Sequence, residues 1–290
     1  MGDGRRAVGV VLAGGAGTRM GSRVPKPLVL LHGRPLVGHV VAALGQVVDE
    51  VVVVTGADGA WSGWRGPGGT RLVTQAAPTG NGDALRLGLA AVADAATDVV
   101  VALADTPLLR AATFSAVLAA SRPSALAVLT AARPGPGAYG PVVRDRAGRV
   151  VGFAEPNGDD GEVNASVYAA AHDVLAALVG DLPPGRAGGE CHVTGVVAAA
   201  HRAGVEVADV RCDPAGDALG VNTPGELAVA AAPRHDVKVI TRVVDYGGLF
   251  HDDVLPGHVF PDGDHRRFRP RGWVDAGRER LERMRPVAER

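Results

Sequence analysis

Residues 7–20 read Ala7-Val8-Gly9-Val10-Val11-Leu12-Ala13-Gly14-Gly15-Ala16-Gly17-Thr18-Arg19-Met20. The first half is an apolar run without a charge, as a strand covered on both faces requires. It passes straight into glycines, which let the backbone curl until successive N–H groups face one point and form an anion-binding nest. The spacing of a dinucleotide fingerprint fails here, and the Gly-Lys-Ser/Thr close of a P-loop is absent. Instead Arg19 follows at once and Pro25-Lys26-Pro27 comes shortly after. Two cations flanking an amide nest suit a triphosphate that must lose pyrophosphate. Arg5-Arg6 ahead of the run imitates a secretory signal, but the apolar stretch is short and glycine-dense, so a strand feeding a phosphate loop is the expected reading.

Working outward, short β-branched runs at 50–55, 71–75, 99–103 and 125–130 read as further buried strands. Between them, 35–44, 82–93 and 111–120 carry apolar residues at helical spacing. Such alternation predicts right-handed βαβ units and a mostly parallel sheet, with chemistry in the loops beyond the strands' carboxyl ends. The middle changes character: 142–144 and 149–153 read as a hairpin around a glycine-containing turn. A strand at 163–168, helices at 172–179 and 192–202, a strand at 206–211 and a helix at 224–232 follow. No internal repeat is visible.

The 290 residues are 47% hydrophobic and 21% charged, enough for one large core or two modest ones. Thirty Lys+Arg against 31 Asp+Glu leave a net charge of -1, so no basic field exists to hold nucleic acid or anionic lipid. No apolar run approaches the roughly 20 residues that span a bilayer. The only cysteines, Cys191 and Cys212, exclude a disulfide framework and point to a reducing cytoplasm. Aromatics amount to 4%, and five of the eleven fall after Pro233, in a segment rich in Pro, His, Asp and Arg. The expected organisation is therefore a domain over 1–232 and an extension over 233–290, packed on the domain or on a neighbouring subunit of a homo-oligomer. His251, Asp252, Asp253, His258, Asp262, Asp264 and His265 in that extension match no standard metal spacing, and polar turns explain them.

Residues 12–20 with Lys26 resemble the signature of the sugar-phosphate nucleotidylyltransferases. Gln75 with Gly80-Asn81-Gly82-Asp83-Ala84 resembles the segment with which that family reads the base. Ala104-Asp105-Thr106-Pro107-Leu108 stands where it carries a metal-binding aspartate after a strand. Tyr139-Gly140, Glu155, Glu162-Val163-Asn164, Gly189-Glu190-Cys191-His192-Val193-Thr194 and Gly220-Val221-Asn222 follow in order. Over about residues 7–231 the succession is most similar to the uridylyltransferase domain that makes UDP-N-acetylglucosamine. The resemblance implies an α/β, Rossmann-like nucleotidyltransferase fold with a mixed, mostly parallel sheet.

It also implies roles. A phosphate oxygen of a small phosphorylated acceptor attacks the α-phosphorus of a nucleoside triphosphate, and pyrophosphate leaves; catalysis is positioning and charge stabilisation. Arg19 and Lys26 take the catalytic role; Leu12, Ala13, Gly14, Gly15, Gln75, Gly80 and Asn81 bind nucleotide. Gly140, Glu155, Asn164 and Thr194 bind the acceptor, and Asp105 with Asn222 ligates Mg²⁺, which favours hard oxygen donors. The Gln75 amide can pair with uracil or thymine, and a flipped amide also admits cytosine.

The chain departs from the family on the acceptor side. Leu103 and His192 replace tyrosines, Pro141 an arginine, Gly195 an aspartate and Ala165-Ser166 a Thr-Gly pair. A kept reaction with a changed acceptor is the expectation: another sugar, a cyclitol phosphate or a phosphonate. Residues 12–15 and 19–21 also resemble the molybdenum-cofactor guanylyltransferases, so cytidylyl or guanylyl transfer is the enzymatic alternative. A silent nucleotide-sugar sensor would be expected to lack Asp105, Lys26 or Arg19, and all three are present. Nothing after Pro233 repeats like a hexapeptide β-helix, so acetyl transfer is not expected.

Overall fold

The computed structural model describes residues 6–232 apart from 16, 23, 58, 93–96, 123–125, 136–137, 157–160 and 186–188. The extension from 233 onward, with its His and Asp residues, lies outside the described residues.

Strand β1 (Ala7–Ala13) is buried at every position. Val8, Val10 and Leu12 face one apolar layer, while Ala7, Val11 and Ala13 face the other. After it come the two short strands β2 (Leu30–Leu31) and β3 (Arg34–Pro35), then α1 (Leu36–Leu44) and β4 (Glu50–Gly56). Next are β5 (Thr70–Gln75), α2 (Asn81–Ala90), β6 (Asp98–Leu103), α3 (Ala111–Ser121) and β7 (Leu126–Ala132). A hairpin of β8 (Val142–Arg144) and β9 (Val150–Phe153) precedes β10 (Glu162–Ala171) and α4 (His172–Gly180). Finally α5 (Gly195–Arg202), β11 (Val207–Arg211) and α6 (Pro224–Ala231) close the domain.

Seven strands form one sheet in the order β11-β7-β10-β6-β1-β4-β5. β1 runs parallel to β4 and β6, β4 to β5, and β7 to β11. β10 alone lies antiparallel, to both β6 and β7. This is the mostly parallel sheet that the alternation predicts, with the mixed character that the resemblance implies. Helices α1 and α3 cover one face through Val37, Val40, Phe114 and Val117, and α2, α4 and α5 the other through Leu85, Leu89, Leu175 and Val196. From β1 the chain winds outward to β4 and β5, then returns to place β6 on the far side of β1. That reversal opens a crevice beyond the carboxyl ends of β1 and β6, where ligands bind in open α/β sheets.

Three expected boundaries move for physical reasons. The helix expected from 192 starts at Gly195, because 191–193 is tied down elsewhere: Cys191 N donates to Thr79 O at 2.9 Å and Val193 N to Asn81 Oδ1 at 2.7 Å. Helix α2 stops at Ala90 rather than reaching 93, with the His172 ring nitrogen on the Leu89 carbonyl at 3.1 Å. β10 runs on to Ala171 instead of ending at 168, with a register shift between Asn164 and Tyr168. Among the described residues, no helix is long and apolar enough to cross a membrane.

Candidate active site

The end of β1 supplies Leu12, Ala13, Gly14 and Gly15 to a cleft of about 500 Å³. Gln75 at the end of β5, Gly80 and Asn81 at the start of α2, and Asp105 just beyond β6 line the same cleft. Arg19 enters from the short 3-10 turn Thr18–Met20, and Asn222 from the loop before α6. Parallel strands thus deliver residues scattered along 200 positions of sequence to one end of the sheet.

At the floor, Lys26 Nζ donates to Asp105 Oδ2 at 2.5 Å and to Asn222 Oδ1 at 2.7 Å. Arg19 Nη2 approaches the same Asn222 oxygen at 3.4 Å. The ion pair is largely buried, with 12% of the Lys26 side chain and 14% of Asp105 exposed. Each member is fixed by its own backbone. Ala104 N donates to Leu12 O and Val221 N to Asp105 O, at 3.1 and 2.8 Å, so the loop carrying Asn222 is pinned against the one carrying Asp105. Glu226 Oε2 then accepts from Asn222 N and Thr223 N at 2.6 and 2.9 Å, while Thr223 caps α6 reciprocally. Lys26 sits where it does because Gly17 lies against it: φ is 61° there, and a Cβ on Gly17 would fall 2.3 Å from Lys26 Cβ.

The wall that carries Gln75 is a clasp. Gln75 Nε2 donates to Thr79 Oγ1 at 3.1 Å and to Gly80 O at 3.0 Å. A carbonyl can only accept, so the nitrogen must face Gly80 and Oε1 must turn the other way. Gly80, which lines the cleft, and Gly82 also pack against the Cys191 segment. Gly82 N donates to Cys191 O at 2.7 Å, and a Cβ on Gly80 would stand 2.4 Å from that oxygen. Burial pushes the Cys191 thiol up, with Arg86 offsetting it in part, which keeps the sulfur protonated in the wall.

A second cavity of about 180 Å³ shares Arg19, Leu103, Asp105 and Asn222 with the first. Tyr139, Asn164, Ala165 and Ser166 contribute its far side. Asn164 spends its side chain locally, donating to Tyr168 OH at 2.9 Å and accepting from Ser166 N at 2.9 Å in the irregular turn of β10. Gly140 stands beside the cavity rather than in its lining, its carbonyl accepting from Asn164 N at 2.9 Å. Glu155 is exposed beyond β9, and Thr194 precedes α5; neither lines either cavity. The structure therefore gathers Arg19, Lys26, Asp105, Asn222 and the seven residues expected on the nucleotide side, with Asn164 in the second cavity, but Gly140, Glu155 and Thr194 line neither cavity.

Asp105 and Asn222 offer a carboxylate and an amide oxygen converging on one cationic atom, a donor pair suited to a hard ion. Mg²⁺ is usually held by one or two protein oxygens plus substrate phosphates rather than by a protein cage. Among the described residues, no group of three or more His, Cys, Asp or Glu gathers into such a cage.

Residues 9–184 match the family described as MobA-like NTP transferase domain. The chain belongs to this family. It is also 39% identical over 240 residues to the bifunctional protein GlmU of Acidovorax ebreus (strain TPSY), covering 76% of this chain and 49% of the relative. The chain thus spans about half the length of the curated relatives it matches. Two solved structures share the fold. A candidate glucose-1-phosphate thymidylyltransferase from Bacillus anthracis superposes with a TM-score of 0.61 at 20% identity, covering 79% of this chain and 96% of that one. The 4-diphosphocytidyl-2C-methyl-D-erythritol synthase from Anaerococcus prevotii gives 0.55 at 16% identity, covering 79% and 98%.

In this MobA-like domain, two contributors escaped the sequence reading. Tyr139 accepts from Gly220 N at 3.3 Å and so helps hold the Asn222 loop; burial pushes its hydroxyl up to about 12, against the opposing pull of Gly220. No local signal could reveal a partner 81 residues away. Glu226 did leave a signal, since Thr223-Pro224-Gly225-Glu226 spells a capping box. The clasp yields an expectation: Gly80→Ala forces a Cβ into backbone at a φ of 104° and should cost about 2–4 kcal/mol of stability. A lowered urea midpoint would report it, and an unchanged midpoint would contradict the clasp.

Proposed function

We propose that this domain transfers a nucleotidyl group from a nucleoside triphosphate, UTP by preference, to the phosphate of a small acceptor such as a sugar 1-phosphate. The observation that carries the reading is the junction of the two cavities at Arg19, Asp105 and Asn222, with Lys26 bonded to the last two from the larger cleft. A triphosphate seated in the larger cleft would bring its α-phosphorus to this junction, facing an acceptor in the smaller one. An acceptor phosphate oxygen then forms the new bond to the α-phosphorus, and the bond to the bridging oxygen breaks to release pyrophosphate. Amide groups of the 14–15 loop cradle phosphate, and Lys26 and Arg19 supply positive charge where negative charge accumulates. Asp105 and Asn222 would hold Mg²⁺, which when bound neutralises phosphate oxygens and keeps the reacting groups in line.

The smaller cavity supports a changed acceptor, because Leu103, Ala165 and Ser166, three of the departures from the family pattern, all line it. The Gln75 amide favours a second reading of the base. Its carbonyl oxygen accepts from uracil N3–H or from the cytosine amino group alike, so cytidylyl transfer is the alternative. Pyrophosphate release, measured with the four triphosphates against N-acetylglucosamine 1-phosphate, other sugar phosphates, a cyclitol phosphate and a phosphonate, tests both points. UTP is expected to lead by about tenfold, the scale of a lost base contact. A lead for CTP or GTP would replace UTP, and selective use of N-acetylglucosamine 1-phosphate would end the changed-acceptor reading.

A further inference from the structure

The two oxygens assigned above to a divalent ion already share a cation. Lys26 Nζ lies 2.5 Å from Asp105 Oδ2 and 2.7 Å from Asn222 Oδ1. An ion bonded to the same pair at the short distances of Mg²⁺, about 2.0–2.1 Å, would claim the same space. Like charges that close repel strongly where little water screens them, and this pair is mostly shielded from solvent.

The backbones that carry the two oxygens are held in place. Asp105 is fixed through its own carbonyl to Val221 N, and Asn222 through its N–H to the carboxylate of Glu226. The lysine is the adaptable member, a flexible stem whose base is seated against Gly17. A phosphate oxygen offers its ammonium an equivalent anionic partner. We infer that Lys26 and the divalent ion compete for Asp105 and Asn222, and that the triphosphate settles the contest by drawing the ammonium onto itself. Free metal is then refused, and metal and nucleotide enter together. This rests on the nucleotidyl-transfer reading of the site.

Mn²⁺ is the probe, its binding to the full chain followed by loss of the free-ion spin-resonance signal. For the unaltered protein, a non-hydrolysable UTP analogue should tighten Mn²⁺ binding by at least about tenfold, a coupling of ordinary size between sites. Lys26→Met should raise nucleotide-free Mn²⁺ affinity by about tenfold and shrink the analogue's effect. Arg19→Met removes a cation that touches Asn222 only at 3.4 Å, and it should change nucleotide-free affinity far less. An equal rise in both variants would mean general charge removal and would overturn the competition, as would no rise with Lys26→Met. If Asp105→Ala kept full Mn²⁺ affinity beside the analogue, the metal assignment itself would fall. An unaltered chain supplies a second readout, since Lys26 and Lys238 are its only lysines. With lysine-selective labelling, the Lys26 ε-signal should hold still under Mg²⁺ alone and move when the analogue joins it; movement under Mg²⁺ alone at the same concentration would also overturn the inference.

Discussion

Asp105→Ala is expected to lower the rate of pyrophosphate release by about 10³-fold or more, the loss associated with removing a main source of transition-state charge stabilisation. Among the described residues Asp105 is the one carboxylate paired with the Lys26 ammonium, and its backbone carbonyl anchors the loop that presents Asn222. The substitution leaves that carbonyl in place, so the loop should keep its path. It does strand a largely buried ammonium with only an amide oxygen for company, so some stability should be lost with the activity. Asp105→Asn separates the two effects. It keeps an oxygen for Lys26 while removing the charge, so it should melt near the parent temperature yet remain nearly as slow as the alanine variant. An active Asp105→Asn protein would take the charge of this residue out of the chemistry.

Lys26→Met should cost about 10²–10³-fold in kcat/KM, comparable to the loss of one oxyanion donor, or about 3–4 kcal/mol. The change should fall mainly on kcat if the ammonium meets charge that develops during bond breaking, and mainly on KM if it only holds the triphosphate. Lys26→Arg is expected to rescue little. A guanidinium presents a planar fork, whereas the two oxygens at 2.5 and 2.7 Å converge on a single nitrogen. Steady-state assays over a range of triphosphate concentrations distinguish these outcomes, and full activity in Lys26→Arg would show that any cation suffices there.

The larger cleft was legible because its lining is stated locally in the chain. The run into Gly14 and Gly15 states its strand and its loop within a few residues, and β-branched runs betrayed β4, β6 and β7 through burial on both faces. β5, expected to be buried as well, is instead an edge strand that leaves Arg71, Leu72 and Thr74 exposed. Asp105 could be placed because a residue directly after a buried strand lies at the carboxyl end of the sheet. The smaller cavity was hard to read because it is assembled over long range. Tyr139 meets Gly220, and Ser166 adopts a positive φ of 59° within an irregular strand; the Cys191 segment is likewise tied to Thr79 and Asn81 outside the helix that its pattern suggested. Spacing along the chain carries none of that, so a helix was expected three residues too early, and Glu155 and Thr194 were expected to join a site whose cavities they do not line.

Lys26 and Asn222 are 196 residues apart, and the strand that closes one edge of the sheet, β11, is made just before Asn222. Synthesis runs from the amino end, so the phosphate loop and its lysine leave the ribosome long before the last oxygen that faces that lysine. A nascent chain can lay down most of the sheet while this junction is still open. The half-made protein thus lacks the complete junction, whose last oxygen is made after every strand of the described sheet.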